Sequence, residues 1–380
     1  MSHPSQNAER EPLIHLSKRS GIHPAKAWGI RLAALALGLI TCGLIAFLLS
    51  EKLRSDPKLI EKFYTAFYRA SFGRGKIASD PYRKTWDFLQ YSALLLCIAL
   101  ALTPAFRMRF WNIGAEGQTL IGMLGASAVN FYLGGKIPEW LLLILMLFAA
   151  VLAGAVWGVI PALFKARWGT NETLFTLMMN YVAMFLTAYL IKKWQPMGSG
   201  TLAFANGKLP ALINNYLLII LVSVALAAAM FVYLRYSKHG YEINVVGESE
   251  RTAQYVGISV KKVIIRTMLL SGMLCGLTGF LFAGLNQNIT RDSIGGRGFT
   301  AIIVAWLAKF NPLVMILMAA LVLLLQKGAG QISQDLNVQK TAMPDVIVGV
   351  ILFFIIGCEF FINYQVHFRG RGHKREEAVK

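Results

Sequence analysis

The sequence predicts an all-α, polytopic membrane protein with about ten transmembrane helices and one short cytoplasmic helix. Of its 380 residues, 56% are hydrophobic and only 15% are charged, and apolar runs of about 20 residues recur along the chain. The formal net charge of +19 would suggest nucleic acid as a partner of a soluble protein. Here the basic residues cluster at the ends of apolar runs, so we expect contacts with membrane lipids and none with nucleic acid.

Ten apolar runs have the length of membrane spans or approach it. We expect spans at residues 29–49, 87–106, 115–133, 138–164, 172–191, 213–234, 263–285, 299–310, 312–326 and 346–364. The chain then consists of an N-terminal tail of residues 1–28, a transmembrane domain of residues 29–364 and a basic tail of residues 365–380. Two of the runs carry stripes of small residues that favour close helix contact. These residues are Gly154 and Gly158 in the fourth run, and Gly272, Gly276 and Gly279 in the seventh.

An even number of spans places both termini on one side of the membrane, and the basic residues indicate which side. With both termini in the cytoplasm, 21 of the 38 Lys and Arg residues lie in cytoplasmic segments. Nine of the other 17 lie in the loop of residues 51–86, which violates the positive-inside rule. The short loops are more diagnostic than this long one, so we expect cytoplasmic termini and a cytoplasmic segment at residues 235–262.

The external loop of residues 51–86 contains an amphipathic pattern. Apolar and aromatic side chains recur there at helical spacing, which predicts a helix lying along the membrane surface. They are Leu59, Ile60, Phe63, Tyr64, Phe67 and Tyr68. A solvated loop with scattered aromatic residues is the alternative.

In the second half of the chain the most polar stretch between two spans is residues 235–262, and its middle, residues 244–258, can form a short helix. Glu248 and Glu250 lie where a helix N-terminus favours negative charge, and Gly257 lies where a left-handed C-terminal cap would form. A segment that only connects two spans does not need a helix with two distinct faces. We therefore interpret this helix as a docking element for a partner. Its expected docking face consists of Arg251, Gln254 and Tyr255.

Motifs for catalysis or metal binding are not found in the sequence. All six histidines lie outside the predicted spans without metal-ligand spacing, and all four cysteines lie inside apolar runs. The Gly-Lys pairs at residues 75–76 and 207–208 lack the rest of a phosphate-binding loop. We therefore predict no catalytic residue, no metal site and no cofactor bound by this chain. A membrane enzyme with dispersed carboxylates is the alternative.

Several polar residues lie at the start of spans or inside them. A charge at the centre of a bilayer costs about 2.5 to 3.5 kcal/mol, so such side chains face a cavity or a partner helix unless they reach the interface. Two glycines and three polar residues in residues 112–118 predict a broken span that lines a pathway, with a plain capped helix start as the alternative. The candidate pathway residues are Asn112, Glu116, Gln118, Asn171, Glu172, Asn180 and Trp306.

Five stretches together resemble a known family. They are WNIGAEGQ at residues 111–118, NETLFTLMMNYVA at 171–183, VVGESERTAQYVGI at 245–258, GRGFTAIIVAWLAKFNP at 296–312 and MPD at 343–345. The combination resembles the permease subunits of bacterial ABC importers for nucleosides and simple sugars, which are of the branched-chain amino acid permease type. It is most similar to the nucleoside permeases that work with a basic membrane lipoprotein.

The resemblance implies a bacterial inner-membrane assembly. Its expected partners are a second, related permease, a separate ABC ATPase that binds ATP and Mg²⁺, and an extracytoplasmic substrate-binding lipoprotein. It also implies that the cytoplasmic segment docks on the ATPase. The coupling residues expected there, with Arg251 from the docking face, are Gly247, Glu248, Ala253, Tyr255, Gly257 and Ile258.

The expected mechanism is alternating access driven by the ATPase subunit. A nucleoside needs hydrogen-bonding groups and an aromatic surface, whereas an anionic substrate needs fixed positive charge in its path. The basic residues nearest to the predicted pathway, Arg107 and Arg109, lie at the end of a span rather than inside it. Simple sugars are the alternative substrates. An ion-coupled secondary transporter is a further alternative, with Glu116 and Glu172 as its titrating groups.

Overall fold

A computed structural model shows a chain built mainly of helices. It describes residues 14–18, 23–49, 58–73, 81–196, 198–211, 214–335 and 343–368. The helices are α1 (Pro24–Leu49), α2 (Lys58–Phe72), α3 (Arg83–Arg107), α4 (Ala115–Leu133), α5 (Glu139–Trp168), α6 (Glu172–Trp194), α7 (Leu217–Tyr236), α8 (Lys238–Glu248), α9 (Glu250–Tyr255), α10 (Val260–Asn286), α11 (Arg297–Leu307), α12 (Pro312–Asp335) and α13 (Met343–Asn363). The short strands are β1 (Ile14–Lys18), β2 (Leu202–Ala203), β3 (Asn288–Ile289) and β4 (Tyr364–Phe368).

Each of the ten predicted spans coincides with one helix, and the additional helices are α2, α8 and α9. Within the described part of the chain, six helices are long and apolar enough to cross a membrane: α3, α5, α6, α7, α10 and α12. The expectation for residues 299–310 needs correction. Helix α11 has 11 residues and a length of about 16 Å, about half the thickness of the hydrocarbon core. It is a half-length helix that cannot cross the membrane by itself.

Helix ends follow local chemistry at the turn between α5 and α6. Gly169 ends α5 in the left-handed conformation, with φ of 65°, which a glycine adopts without steric cost. Asn171 then starts α6, and its side-chain oxygen accepts hydrogen bonds from the backbone N–H groups of Thr173 and Leu174. This is the N-cap geometry that a helix start favours. The two helices are therefore joined by a connection of only three residues.

Helices α4, α5 and α10 form the core of the compact unit made of residues 68–325. The predicted glycine stripes meet there: a Cβ on Gly272 would overlap the carbonyl oxygen of Gly154, and one on Gly276 would overlap that of Ala150. Gly279 in turn lies against the backbone of Thr119 in α4. Small residues let helix backbones approach this closely, and the contact is lost if a side chain intervenes.

The second compact unit consists of residues 1–67 and 326–380. In it α1 and α13 pack antiparallel, with the Cys42 thiol donating to the carbonyl oxygen of Ile347 and Ala34 lying in one cluster with Cys358. Strands β1 and β4 pair antiparallel next to the start of α1 and the end of α13. The two strands therefore lie at the same end of this helix pair.

We predict that Gly276→Leu destabilises the fold, because its side chain would push α5 away from α10. A cost of about 1 to 3 kcal/mol is typical of overpacking, and it would lower the thermal unfolding midpoint of the detergent-solubilised chain. Gly349→Leu in α13 is the matched control, since a Cβ there meets no atom within 4 Å. Equal unfolding midpoints for the two variants would contradict this account of the core.

Candidate functional site

The loop between α3 and α4 is held by reciprocal amide hydrogen bonds. The Asn112 amide nitrogen donates to the Gln118 side-chain oxygen at 3.3 Å, and the Gln118 amide nitrogen donates back to the Asn112 side-chain oxygen at 3.2 Å. Asn112 also lies 3.3 Å from the Ser271 hydroxyl of α10 and accepts from the backbone N–H of Gly114. Asn112 and Gln118 are both buried, so their polar groups find partners inside the chain.

Helix α6 supplies two further side chains to the start of α4. The Asn180 side-chain oxygen accepts from the backbone N–H of Gly117 at 2.9 Å, while its amide nitrogen donates to the carbonyl oxygen of Ile113 at 3.0 Å. The Thr176 hydroxyl accepts from the backbone N–H of Ile113 at 3.1 Å. These bonds pair backbone groups that would otherwise be orphaned where the helix begins. We call Asn112, Glu116, Gln118, Thr176, Asn180 and Ser271 the buried polar cluster.

Glu116 connects α4 to the half-length helix α11. One carboxylate oxygen accepts from the backbone N–H of Gly296 at 2.8 Å, and the other accepts from that of Gly298 at 2.6 Å. Gly296 is the N-cap of α11, with φ of 75°, and no side chain within α11 caps this end. Hydrogen bonds to a carboxylate are stronger than neutral ones, and the positive end of the helix dipole adds to them. A carboxylate from another helix thus caps α11.

Arg297 is a functional candidate that the sequence analysis missed. Its guanidinium lies 5.2 Å from the ring centroid of Tyr91 and 5.4 Å from that of Phe282, and it donates to the carbonyl oxygen of Ile294 at 2.9 Å. The side chain is thereby held between two aromatic rings beside Glu116. The signal in the sequence was a lone Arg between glycines at the start of a short apolar run.

Of the predicted pathway residues, Asn112, Glu116, Gln118 and Asn180 meet in the buried polar cluster. Their hydrogen bonds give them a positioning role in this conformation. Asn171 and Glu172 lie elsewhere. Asn171 is the N-cap of α6, and the Glu172 carboxylate forms an ion pair of 2.8 Å with the Lys165 ammonium of α5. The two α6 residues therefore secure the junction between α5 and α6.

Trp306 lies at the other end of α11, where it stacks on Trp111. The two ring centroids are 5.4 Å apart with an interplanar angle of 25°, and both side chains are exposed. Phe106 and Phe310 pack beside them. The pair is thus an accessible aromatic surface a few residues from the buried polar cluster.

The predicted single helix of residues 244–258 is in fact two helices. Ser249 has extended backbone angles that end α8, and its hydroxyl caps α9 by accepting from the backbone N–H of Thr252 at 3.2 Å. Glu248 therefore lies at the C-terminal end of α8, and the prediction that it begins a helix is wrong. Glu250 does lie in the first turn of α9. Gly257 has the predicted left-handed conformation, with φ of 80°.

Helix α8 is fixed to the transmembrane helices. The Glu242 carboxylate pairs with the Arg266 guanidinium of α10 at 2.6 Å, and Ile243, Val246 and Gly247 are buried. Gly247 lies directly on the end of α3, where a Cβ would overlap the carbonyl oxygen of Arg107. Any movement of α8 therefore acts on the backbone of α3.

Arg107 also joins the ends of α3 and α11. Its guanidinium donates twice to the carbonyl oxygen of Phe310, at 2.9 and 3.2 Å. The chain continues from Arg107 through Trp111 to the buried polar cluster. The end of α3 is thus in contact with α8, the end of α11 and the loop that carries Asn112.

Helix α9 presents most of its surface to solvent. The predicted docking residues Arg251, Gln254 and Tyr255 are exposed, with Tyr255 91% exposed, whereas Ala253 is buried. Ile258 is partly buried, and its backbone N–H donates to the carbonyl oxygen of Ala253. In the described part of the chain, no group of three or more His, Cys, Asp or Glu side chains is placed to hold a metal ion. The predicted docking face of α9 is therefore accessible from outside the chain.

Comparison with known proteins finds relatives among permease proteins. The guanosine ABC transporter permease protein NupP of Bacillus subtilis is 29% identical over 337 residues, covering 86% of this chain and 92% of the relative. The nucleoside ABC transporter permease protein NupB of Lactococcus lactis is 28% identical over 320 residues, covering 78% and 85%. The glucose ABC transporter permease protein TsgB13 of Haloferax volcanii is 31% identical over 292 residues, covering 72% and 76%.

A family model also matches the chain. It describes the permease component of branched-chain amino acid transport systems and matches residues 85–356, which is more than half of the chain. The match includes α4, α6, α8, α9, α10 and α11, and so all the elements of the buried polar cluster and of the predicted docking face. The chain belongs to the family of branched-chain amino acid transport system permease components.

Proposed function

We propose that this chain is the transmembrane subunit of an ABC importer for nucleosides, and that α8 and α9 are its contact with a separate ATPase. The contact of Gly247 with the backbone of Arg107 carries this proposal. It joins α8, which directly precedes the exposed helix α9, to the end of a transmembrane helix. Such a connection suits a subunit that receives mechanical work from a partner.

The coupling route has two branches from Arg107. One runs through its hydrogen bonds to Phe310 and reaches α11, whose other end is held by Glu116. The second runs along the chain to Asn112 and the start of α4. A partner that binds α9 differently in its ATP-bound and ATP-free states would shift the equilibrium between two arrangements of these helices. ATP and Mg²⁺ bind the ATPase, and this chain holds no cofactor.

A nucleoside fits the groups near the pathway better than an anion does. The stacked pair Trp111 and Trp306 is an exposed aromatic surface on which a base can stack. The cation nearest the buried polar cluster, Arg297, is held between two rings and bonded to Ile294. Relatives named for guanosine and nucleosides also support a nucleoside, while the glucose permease supports a simple sugar as the second candidate.

The proposed assembly contains a second, related permease, an extracytoplasmic substrate-binding lipoprotein and the ATPase, in a bacterial inner membrane. We place α8, α9 and both termini in the cytoplasm because the short loops on that side carry more Lys and Arg. The pairing of β1 with β4 supports termini on one side. We place α2 at the opposite surface, where its exposed Tyr64, Tyr68 and Phe72 would contact the membrane interface.

Uptake by cells that express this chain with its ATPase, lipoprotein and second permease tests the function. We expect accumulation of labelled guanosine that requires an intact ATPase and that unlabelled nucleosides inhibit more strongly than glucose. Stronger inhibition by glucose would favour the sugar alternative. Uptake that persists with an inactive ATPase and follows an ion gradient would favour a secondary transporter.

We predict that Tyr255→Ala lowers uptake at least tenfold without destabilising the chain. Tyr255 touches little within the chain, so its loss should affect only a docked partner. Initial uptake rate, thermal unfolding midpoint and co-purification of the ATPase are the measurements. Tyr189→Ala in α6 is the matched control, since Tyr189 is 63% exposed and lies far along the chain from α9. Unchanged uptake and co-purification in Tyr255→Ala would rule out α9 as the docking surface.

We also predict that Glu116→Gln destabilises the chain and reduces uptake. A glutamine can accept only one of the two backbone N–H bonds and turns its amide donor toward the other, at a cost of about 1 to 3 kcal/mol. The measurements are the thermal unfolding midpoint and the initial uptake rate at equal membrane abundance. Glu139→Gln is the control, because Glu139 also lies in the first turn of a helix but is exposed. Identical behaviour of the two variants would refute the capping role of Glu116.

A further inference from the structure

A groove with an apolar floor and cationic sides lies between the end of α5 and the start of α10. Its volume is about 470 Å³, and its lining contains no carboxylate. The residues that matter here are Leu163, Phe164, Arg167, Trp168, Lys261 and Ile265. Neither the coupling route nor the buried polar cluster includes any of them.

The two helices present the same order of groups to the groove. Leu163 and Arg167 lie four residues apart on one face of α5, and Lys261 and Ile265 lie four residues apart on one face of α10. In both helices the cation is nearer the helix end and the apolar side chain is about 6 Å deeper. A phospholipid has this arrangement, with its headgroup at the interface and its acyl chains below.

The cations of the groove are accessible. Arg167 and Lys261 are both exposed, and neither forms a salt bridge with a residue that the structure describes. The Arg167 guanidinium lies 5.6 Å from the ring centroid of Trp168, which holds it at the mouth of the groove. The nearby Glu172 carboxylate is engaged by Lys165 at 2.8 Å, so it is already paired with another cation.

The groove lies where a lipid headgroup would be. It is formed by the end of α5 and the start of α10, both long enough to cross a membrane. Lys261 follows α9 by only a few residues, so the groove is at the same end of the bundle as the docking helices. Trp168 is 63% exposed and has the amphipathic ring that favours the interface.

We propose that this groove binds an anionic phospholipid, with its phosphate between Arg167 and Lys261 and an acyl chain along Leu163, Phe164 and Ile265. Charge complementarity selects the headgroup, because each basic residue near a membrane surface favours anionic lipid. The apolar floor selects a lipid over a free phosphate ion. The lipid would bridge α5 and α10 beside the docking helices, and the inference does not depend on which substrate is carried.

Fluorescence quenching by brominated lipids tests the proposal on the full-length chain in mixed micelles. The signal of Trp168 is the difference between the wild type and Trp168→Phe. We expect brominated phosphatidylglycerol to quench it at a mole fraction at least fivefold lower than brominated phosphatidylcholine does. The variants Arg167→Gln and Lys261→Gln each remove one cation. Each should lower the ratio of the two mole fractions by about fivefold, so that a fivefold preference falls to equality. Both side chains are exposed, and the unfolding midpoint confirms that each variant folds.

Lys192→Gln with Lys193→Gln is the matched control, since these exposed lysines lie in the last turn of α6, at the opposite end of that helix from Glu172. It should retain the full preference for anionic lipid. Equal quenching by both lipids in the wild type would overturn the proposal, as would an unchanged preference in the Arg167 and Lys261 variants. Displacement of the lipid by inorganic phosphate, but not by chloride at equal ionic strength, would indicate a free-anion site and also overturn it.

Discussion

The pair of hydrogen bonds from Gly296 and Gly298 to the Glu116 carboxylate is the interaction on which the central arrangement of helices depends. A buried carboxylate is costly unless it is hydrogen-bonded, and the start of a helix leaves backbone N–H groups without partners. Here the Glu116 carboxylate accepts hydrogen bonds from the N–H groups at the start of α11, although the two sites are about 180 residues apart in the chain. Because α11 is too short to span a membrane, it cannot be positioned by the two membrane surfaces. It is positioned by a side chain of α4.

Close packing makes this capping geometry possible. Glycines at the contacts of α10 with α4 and α5 let the three backbones approach until carbonyl oxygens meet Cα atoms. Gly298 also permits a close approach, since a Cβ there would overlap the backbone and carboxylate of Glu116. A packed core of this kind moves between discrete arrangements rather than deforming gradually. This packing supports the proposed coupling, in which a helix movement at one end reaches the other.

Arg107 is the point at which α8 contacts that core. Its backbone contacts Gly247 of α8, while its guanidinium holds the end of α11 through Phe310. One helix end and one short loop thus connect α8 to the buried polar cluster. The Glu242–Arg266 ion pair ties α8 to α10 as well, so α8 is firmly attached while α9 remains exposed.

Much of the fold and part of the site followed from the sequence alone. Hydrophobic runs located the ten helices, because the bilayer imposes a minimum length of apolar chain. The small-residue stripes indicated the close contacts of Gly154 and Gly272, and the position of Gly257 indicated its left-handed conformation. The motif residues Asn112, Glu116, Gln118 and Asn180 were recognised as candidates because polar groups in a span need partners.

Only the tertiary structure decided which partners those residues have. Nothing local relates Glu116 to Gly296, or Gly247 to Arg107, because these contacts depend on how distant helices pack. Nearby contacts matter as well: Glu172 pairs with Lys165 across the turn between α5 and α6, and the extended backbone of Ser249 divides the predicted helix of residues 244–258 into two. Hydropathy determined where this chain meets the membrane, whereas long-range packing determined which of its polar residues hold the helices together and which remain exposed.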